Sequence, residues 1–168
     1  MCTIIDKRYI GHVLSKDDHD TLLNRLQESK MFIWPISLKD SSRYYVLVSQ
    51  YQHKHVFFTS ADSFHHSANK AVPYLVMTLY DDLIWNKQIA LVRSEVVDPI
   101  HLTIENARSL CEDFFSKYLK DETFDKHINV FNHFSADFDV QKYLETHYEF
   151  VKKARELNIV NAQETKKN

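Results

Sequence analysis

The fold is decided by the stretch Ala71–Asp98, which reads AVPYLVMTLYDDLIWNKQIALVRSEVVD. It contains two runs, Pro73–Tyr80 and Lys87–Val97, that are rich in Val, Ile, Leu and Tyr and alternate with the two-residue period of a β-strand. The connector Asp81–Asn86 is short, which favours antiparallel pairing of the two runs. We therefore expect this pair of strands to form the centre of a sheet.

The second of these strands carries two charged residues on one face. Its other face is predicted to hold small and apolar side chains, Ala90, Val92, Ser94 and Val96. Arg93 and Glu95 interrupt a strand that otherwise has the pattern of one buried on both sides. They form either a structural charge pair at the rim of the sheet or a polar anchor for a partner or ligand.

The residues before the central pair predict a helix and an antiparallel meander of strands. Ser15 with Asp18 three residues later resembles a capping box, so we expect a helix from about Lys16 to Ser29. Pro35 places its strand at an edge or marks a bulge. The strands expected here are Tyr9–Leu14 as an edge strand, Met31–Leu38, Arg43–Tyr51 and His55–Ser60. The segment Ala61–Lys70 is predicted to be a loop or a short helical turn.

The residues after the central pair predict mainly helix. Thr103 is a candidate N-cap for an amphipathic helix that extends to about Leu119. Asp121–Asn129 is expected to be a helical turn or loop, Val140–Leu157 a final helix, and Asn158–Asn168 a polar, frayed tail. Together the patterns predict a single α+β domain over residues 1–168, with a largely antiparallel, twisted sheet of five to seven strands and helices packed against it.

Composition excludes several classes of protein. The 168 residues carry 21 Lys and Arg against 23 Asp and Glu, a formal charge of −2, so the basic stripe of a nucleic-acid-binding protein is not expected. We find no apolar run near the roughly 20 residues that span a bilayer, and no secretory signal. The two cysteines, Cys2 and Cys111, favour a reducing compartment. The single glycine, Gly11, excludes glycine-rich phosphate-binding loops.

No set of residues has the spacing of a catalytic or metal site. The ten histidines lack cysteine or carboxylate partners at ligand spacing. Cys111 lies on the apolar stripe of its predicted helix, where a thiol is inert. The sequence therefore predicts no catalytic residue, no metal and no cofactor, and we do not expect an enzyme.

Two segments carry aromatic residues outside the predicted core elements. They are the region Phe131–Phe138 and the loop around Phe64. These side chains either cap the core or form an exposed apolar patch for a protein partner.

Five blocks resemble one known family. In chain order they are MFIWPI, HKHVFFTSAD, VPYLVMTLYDDL, IALVRSEVVD and FNHFSADF, and they cover roughly Ser29 to Phe138. This order is similar to that of the mitochondrial assembly factors that chaperone the catalytic head of the F-type ATP synthase, in particular the member that acts on the β subunit. Two positions depart from the family pattern: Ser67–Lys70 replaces a usual Gly-Glu pair, and Gln88 stands where relatives tend to have glycine.

The resemblance implies a non-enzymatic chaperone of the mitochondrial matrix. It would bind the unassembled β subunit, shield its α/β interface from aggregation and release it when the α subunit arrives. The resemblance further implies a matured chain without its leader, and we expect a monomer. The partner-binding residues that we predict are Phe64, Arg93, Glu95, Phe131, Asn132 and His133.

Three alternatives stay open. A second family of assembly factors acts on the α subunit, so the partner of this chain could be the α subunit instead of the β subunit. A small-molecule-binding domain or enzyme could use the polar face at Arg93 and Glu95, which would require a deep polar pocket there. A stable subunit of the complex would remain in the finished synthase.

Overall fold

The computed structural model describes residues 2–38, 43–68 and 70–147. Its centre is a seven-stranded antiparallel sheet with the strand order β1-β2-β7-β6-β5-β4-β3. The strands are β1 (Thr3–Ile4), β2 (Tyr9–Ser15), β3 (Met31–Ser37), β4 (Tyr44–Gln52), β5 (His55–Ser60), β6 (Leu75–Tyr80) and β7 (Ile89–Val96). This architecture confirms the predicted α+β class.

Helices connect the strands and follow the last of them. They are α1 (Lys16–Glu28), α2 (Ala61–Ser67), α3 (Ile84–Lys87), α4 (Ile104–Leu119), α5 (Asp121–Thr123) and α6 (Val130–His133). A π-helical segment, Phe124–Asn129, joins α5 to α6, and a 3-10 turn, Ser135–Asp137, follows α6. One further helix covers residues 140–147.

The predicted central pair is confirmed. Strands β6 and β7 lie next to each other in the middle of the sheet and run antiparallel, with Thr78 opposite Arg93. Leu75, Met77 and Leu79 of β6 are buried, as the alternation predicts. The matching face of β7 is buried as well, at Ala90, Val92, Ser94 and Val96.

Helices α1 and α4 cover this buried face. Both helices begin as their sequences predict: the Ser15 hydroxyl accepts the Asp18 N–H at 3.1 Å, and the Thr103 hydroxyl accepts the Asn106 N–H at 3.2 Å. The apolar stripes of both helices are buried, and aromatic rings fill the space between α4 and strands β3 and β5. Phe114 is the centre of this cluster, with ring contacts to Trp34, Phe58, Phe115 and Tyr118.

Several connecting segments differ from the prediction. The two-residue strand β1 pairs with β2, so β2 is an inner strand and not an edge. The connector of the central pair contains helix α3, which was not predicted. The segment after β5 forms the seven-residue helix α2, the helical one of the two predicted alternatives. Gln88 ends α3 in the left-handed conformation, at φ 56°, and its N–H donates to the Ile84 carbonyl at 3.0 Å. Glycine would adopt this left-handed conformation without strain, whereas Gln88 adopts it with a side chain.

The contacts divide the chain into two compact units. The first comprises Met1–Trp34 and Val46–Phe138, and it contains the central strands and the helices α1 to α6. The second comprises Pro35–Tyr45 and Asp139–Asn168. In the second, Asp139 caps the helix over residues 140–147 by accepting the Lys142 N–H at 2.9 Å. The predicted helix over Val140–Leu157 is confirmed as far as residue 147, and its remainder and the predicted tail lie outside the described residues.

Candidate protein-binding surface

The second face of the strands β2, β7 and β6 is open to solvent. On this face Val13 lies opposite Leu91, and Leu91 lies opposite Tyr80, so the three side chains form a row across the three strands. Their exposed fractions are 59% for Val13, 37% for Leu91 and 36% for Tyr80. We refer to Val13, Leu91 and Tyr80 as the apolar row. The expectation that β7 is buried on both sides is therefore wrong, because α1 and α4 pack against one face only.

Arg93 lies beside the apolar row on the same open face. Its guanidinium carbon is 5.8 Å from the ring centroid of Tyr9 and 5.8 Å from that of Tyr80. Both contacts are cation–π interactions, which restrict the guanidinium while it stays exposed. Among the described residues, no carboxylate forms an ion pair with Arg93. Glu95 instead lies 3.9 Å from Arg8, so the predicted charge pair between Arg93 and Glu95 is not present.

The glycine of the neighbouring strand is covered by an apolar side chain. Gly11 of β2 lies directly opposite Arg93, and a Cβ atom added to Gly11 would lie 2.8 Å from Cδ1 of Ile5. The glycine therefore allows the exposed Ile5 side chain to lie close to the strand. Ile5 adds apolar surface next to the position of Arg93.

Trp85 is the most exposed aromatic residue that the structure describes on this unit. It lies on α3, in the connector that joins Tyr80 to β7, and 83% of it is accessible to solvent. The connector is held firmly: Lys54 donates to both Asp81 carboxylate oxygens, at 2.9 and 2.7 Å, and Ile84 is buried. The Lys54 hydrogen bond also lowers the pKa of the Asp81 carboxyl. The sequence prediction missed Trp85, although a tryptophan in a polar connector was a visible signal.

A second exposed apolar area lies at the other end of the central strands. It comprises Val72, before β6, and Ile100, after β7, of which Ile100 is 88% exposed. The Tyr74 ring stacks on His101 at 5.2 Å, and the Asp98 carboxylate accepts a hydrogen bond from the Ile100 N–H at 3.1 Å. The eight residues of β7 separate this area from Trp85, and at about 3.3 Å per residue this distance is roughly 25 Å.

The predicted residues Phe131, Asn132 and His133 lie on α6 and contact the start of β3. The Asn132 side chain donates to the Met31 carbonyl at 2.7 Å and accepts the Met31 N–H at 3.3 Å. Phe131 makes edge-to-face contacts with Phe32 at 5.3 Å and with Phe138 at 5.3 Å. These contacts give Phe131 and Asn132 a role in attaching α6 to the sheet.

His133 and Phe64 complete the predicted set. His133 is exposed, and its Nε2 lies 3.1 Å from the hydroxyl of the buried Ser29. Phe64 is partly exposed on α2, which packs against β5. The structure therefore brings Arg93 and Glu95 to one sheet face and Phe131, Asn132 and His133 to α6, while Phe64 lies on α2.

Replacing Asn132 by alanine should lower the free energy of unfolding by about 1–2 kcal/mol, because both backbone groups of Met31 lose their side-chain partner. Urea denaturation measures this change. Asn24→Ala is the matched control, since Asn24 is exposed on α1 and the substitution there should stay within about 0.5 kcal/mol. Equal unfolding curves for the two variants would contradict the role of Asn132.

The thiols of Cys2 and Cys111 are poorly suited to act as nucleophiles. Burial raises the pKa of Cys111 to about 12 and that of Cys2 to about 11, and both side chains are buried. A thiol with such a pKa is almost entirely protonated at neutral pH. Within residues 2–38, 43–68 and 70–147, no group of three or more His, Cys, Asp or Glu side chains could hold a metal ion.

Comparison with known proteins identifies the family. The family described as "ATP11 protein" matches residues 3–144, which is most of the chain. A search of the curated proteins finds no match. In the part of the chain that the structure describes, no helix is both long and apolar enough to cross a bilayer. The chain therefore belongs to the ATP11 family, the chaperones that act in assembly of the mitochondrial F1-ATPase.

Proposed function

We propose that this protein binds the unassembled β subunit of the F1-ATPase in the mitochondrial matrix, shields the α/β interface of that subunit, and releases it to the α subunit. The family supports a role in F1 assembly. The observation that carries the proposal is the apolar row, which lies exposed on a sheet face beside the restricted Arg93. We further propose that the protein acts as a monomer and has no enzymatic activity.

The apolar row has the properties of a protein-binding surface. Side chains exposed together across neighbouring strands form a continuous apolar area, and such areas mark interaction sites. Aromatic residues and arginine are enriched in the energetically important parts of interfaces. Tyr80 and Trp85 supply aromatic residues at one end of the central strands, and Arg93 supplies an arginine near the middle of β7.

A chaperone of this kind must also let its client go. The α subunit displaces it when the α/β contact is stronger than the contact of β with the chaperone, since specificity is a difference of affinities. A modest binding surface on the chaperone serves this exchange, because most differences in affinity arise from the dissociation rate.

The surroundings of Arg93 favour a protein partner over a small molecule. A small-molecule site would enclose its ligand in a concave pocket. Arg93 instead lies among Tyr9, Tyr80 and Leu91 on an outward-facing sheet surface, where Leu91 and Tyr80 are themselves partly exposed.

The direct test is capture of separately purified α and β subunits by the tagged protein, with aggregation of β followed by light scattering. Capture of β, reduced scattering, and release of β on addition of α would support the proposal. Capture of α alone would show that the partner is the α subunit and not the β subunit. Persistence of the protein in the assembled F1 would show that it is a stable subunit of the complex. Failure to bind either subunit would contradict the proposal.

Replacing Leu91 by lysine should weaken capture of β about tenfold, because the substitution places a charge in the middle of the apolar row. The Kd of the protein for β measures the effect. Ser109→Lys is the matched control: Ser109 is exposed on α4, which packs on the covered face of the sheet, so the same added charge should leave the Kd unchanged. A similar Kd for the two variants would exclude the row from the binding surface.

A further inference from the structure

We infer that Arg93 binds a carboxylate side chain of the unassembled β subunit, and that this contact selects a partner segment in which an acidic residue lies next to apolar residues. The inference rests on the proposed function and adds to it the chemistry of the segment that the open face recognises.

The first argument is the charge balance around Arg93. Arg8, Arg25 and Arg108 pair with the carboxylates of Glu95, Asp121 and Glu112, respectively. Arg93 forms no such pair with any residue that the structure describes. Its direct neighbours across the strands are Gly11 and Thr78, which carry no charge, and Glu95 of its own strand lies within 3.9 Å of Arg8.

The second argument is the geometry of the guanidinium. The rings of Tyr9 and Tyr80 each lie 5.8 Å from its central carbon, so they restrict the long side chain before any partner arrives. Restriction in advance reduces the side-chain entropy that binding would otherwise cost. The planar guanidinium keeps N–H donors for a carboxylate, and a carboxylate accepts two of them at once.

The third argument is the apolar surroundings. A docked segment that covers Leu91 and Val13 would exclude water from the neighbouring Arg93, and an ion pair strengthens when water is excluded. A partner with an apolar residue in place of the carboxylate would bury the Arg93 charge unpaired, which is costly. Arg93 therefore distinguishes an acidic, apolar segment from a purely apolar one.

The test compares the Kd for purified β subunit among wild type, Arg93→Gln, Arg93→Lys and Arg108→Gln, each at low and high salt. Arg108 is exposed on α4 and loses the same charge in its variant, which makes it the matched control. We expect Arg93→Gln to weaken binding at least tenfold and to reduce its salt dependence. Arg93→Lys should retain part of the affinity, because lysine keeps the charge but not the two-donor geometry. Arg108→Gln should bind like wild type.

Three outcomes would overturn the inference. The first is a Kd for Arg93→Gln within threefold of the Kd for Arg108→Gln. The second is an unchanged salt dependence in Arg93→Gln. The third is failure of the wild-type protein to bind β, which would overturn the proposed function as well, whereas the first two leave that function in place. Thermal unfolding establishes that each variant is folded, and if Arg93→Gln unfolds, the comparison of Arg93→Lys with wild type decides between the outcomes.

Discussion

Replacing Phe114 by alanine should lower the free energy of unfolding by about 3–5 kcal/mol, the range for truncation of a buried phenylalanine. Phe114 is fully buried, and its ring contacts Trp34 of β3, Phe58 of β5 and Tyr118 of α4. The cavity would therefore open where α4 meets two strands of the sheet. Since whole domains are stable by only about 5–15 kcal/mol, this single change removes a large share of the total.

Urea denaturation and thermal unfolding measure this effect, and the expected decrease of the melting temperature is roughly 10 °C. Phe134→Ala makes the same change at a side chain that is 56% exposed, and it should stay within about 0.5 kcal/mol of wild type. If Phe114→Ala lowers the free energy of unfolding by less than about 1.5 kcal/mol, the rings around Phe114 move into the cavity and close it. The core would then not be rigidly packed at this position.

The regular elements could be predicted because their signals are local. Leu75, Met77 and Leu79 recur at the strand period, and Ser15 and Thr103 stand at helix starts with a hydroxyl that accepts a nearby N–H. Each signal spans only a few neighbouring residues, so it can be recognised in the amino-acid sequence without knowledge of the tertiary structure. The antiparallel neighbours β6 and β7 follow from the short connector between them.

The open face could not be predicted, because it depends on which side of the sheet α1 and α4 cover. Leu91 and Val13 are apolar residues in strands, and the pattern alone assigns them to a buried face. Only the packing of the helices shows that they are exposed. The residue type alone does not determine whether an apolar side chain is exposed or buried; the tertiary structure does.

Contacts between distant residues explain the remaining differences. Asn132 interacts with Met31, which is 101 positions away in the chain. Phe131 packs on Phe32 over a comparable separation. The aromatic segment could be recognised in the sequence, but its partner strand could not, because no local period connects α6 to β3.

Replacing Trp85 by alanine should weaken binding of the β subunit by about 30–100-fold, which corresponds to about 2–3 kcal/mol. Tryptophan truncation is costly at interface centres because the large ring fills a pocket of the partner. Trp85 is 83% exposed, and buried Ile84 and the Lys54–Asp81 ion pair hold its connector in place. The side chain is therefore presented on a fixed support, and its removal should leave the free energy of unfolding unchanged.

The Kd for β measures the first effect, and urea denaturation measures the second. Ile100→Ala is the matched control, since Ile100 is 88% exposed at the opposite end of β7 and should not change the Kd if the surface at Trp85 is the one that binds. The reverse result, with binding lost in Ile100→Ala and kept in Trp85→Ala, would move the binding surface to the end of the sheet at Val72 and Ile100. Loss in both variants would require a client that extends along the whole length of β7, about 25 Å at about 3.3 Å per residue. The pair of variants thus locates the client along the central strands, whichever end it occupies.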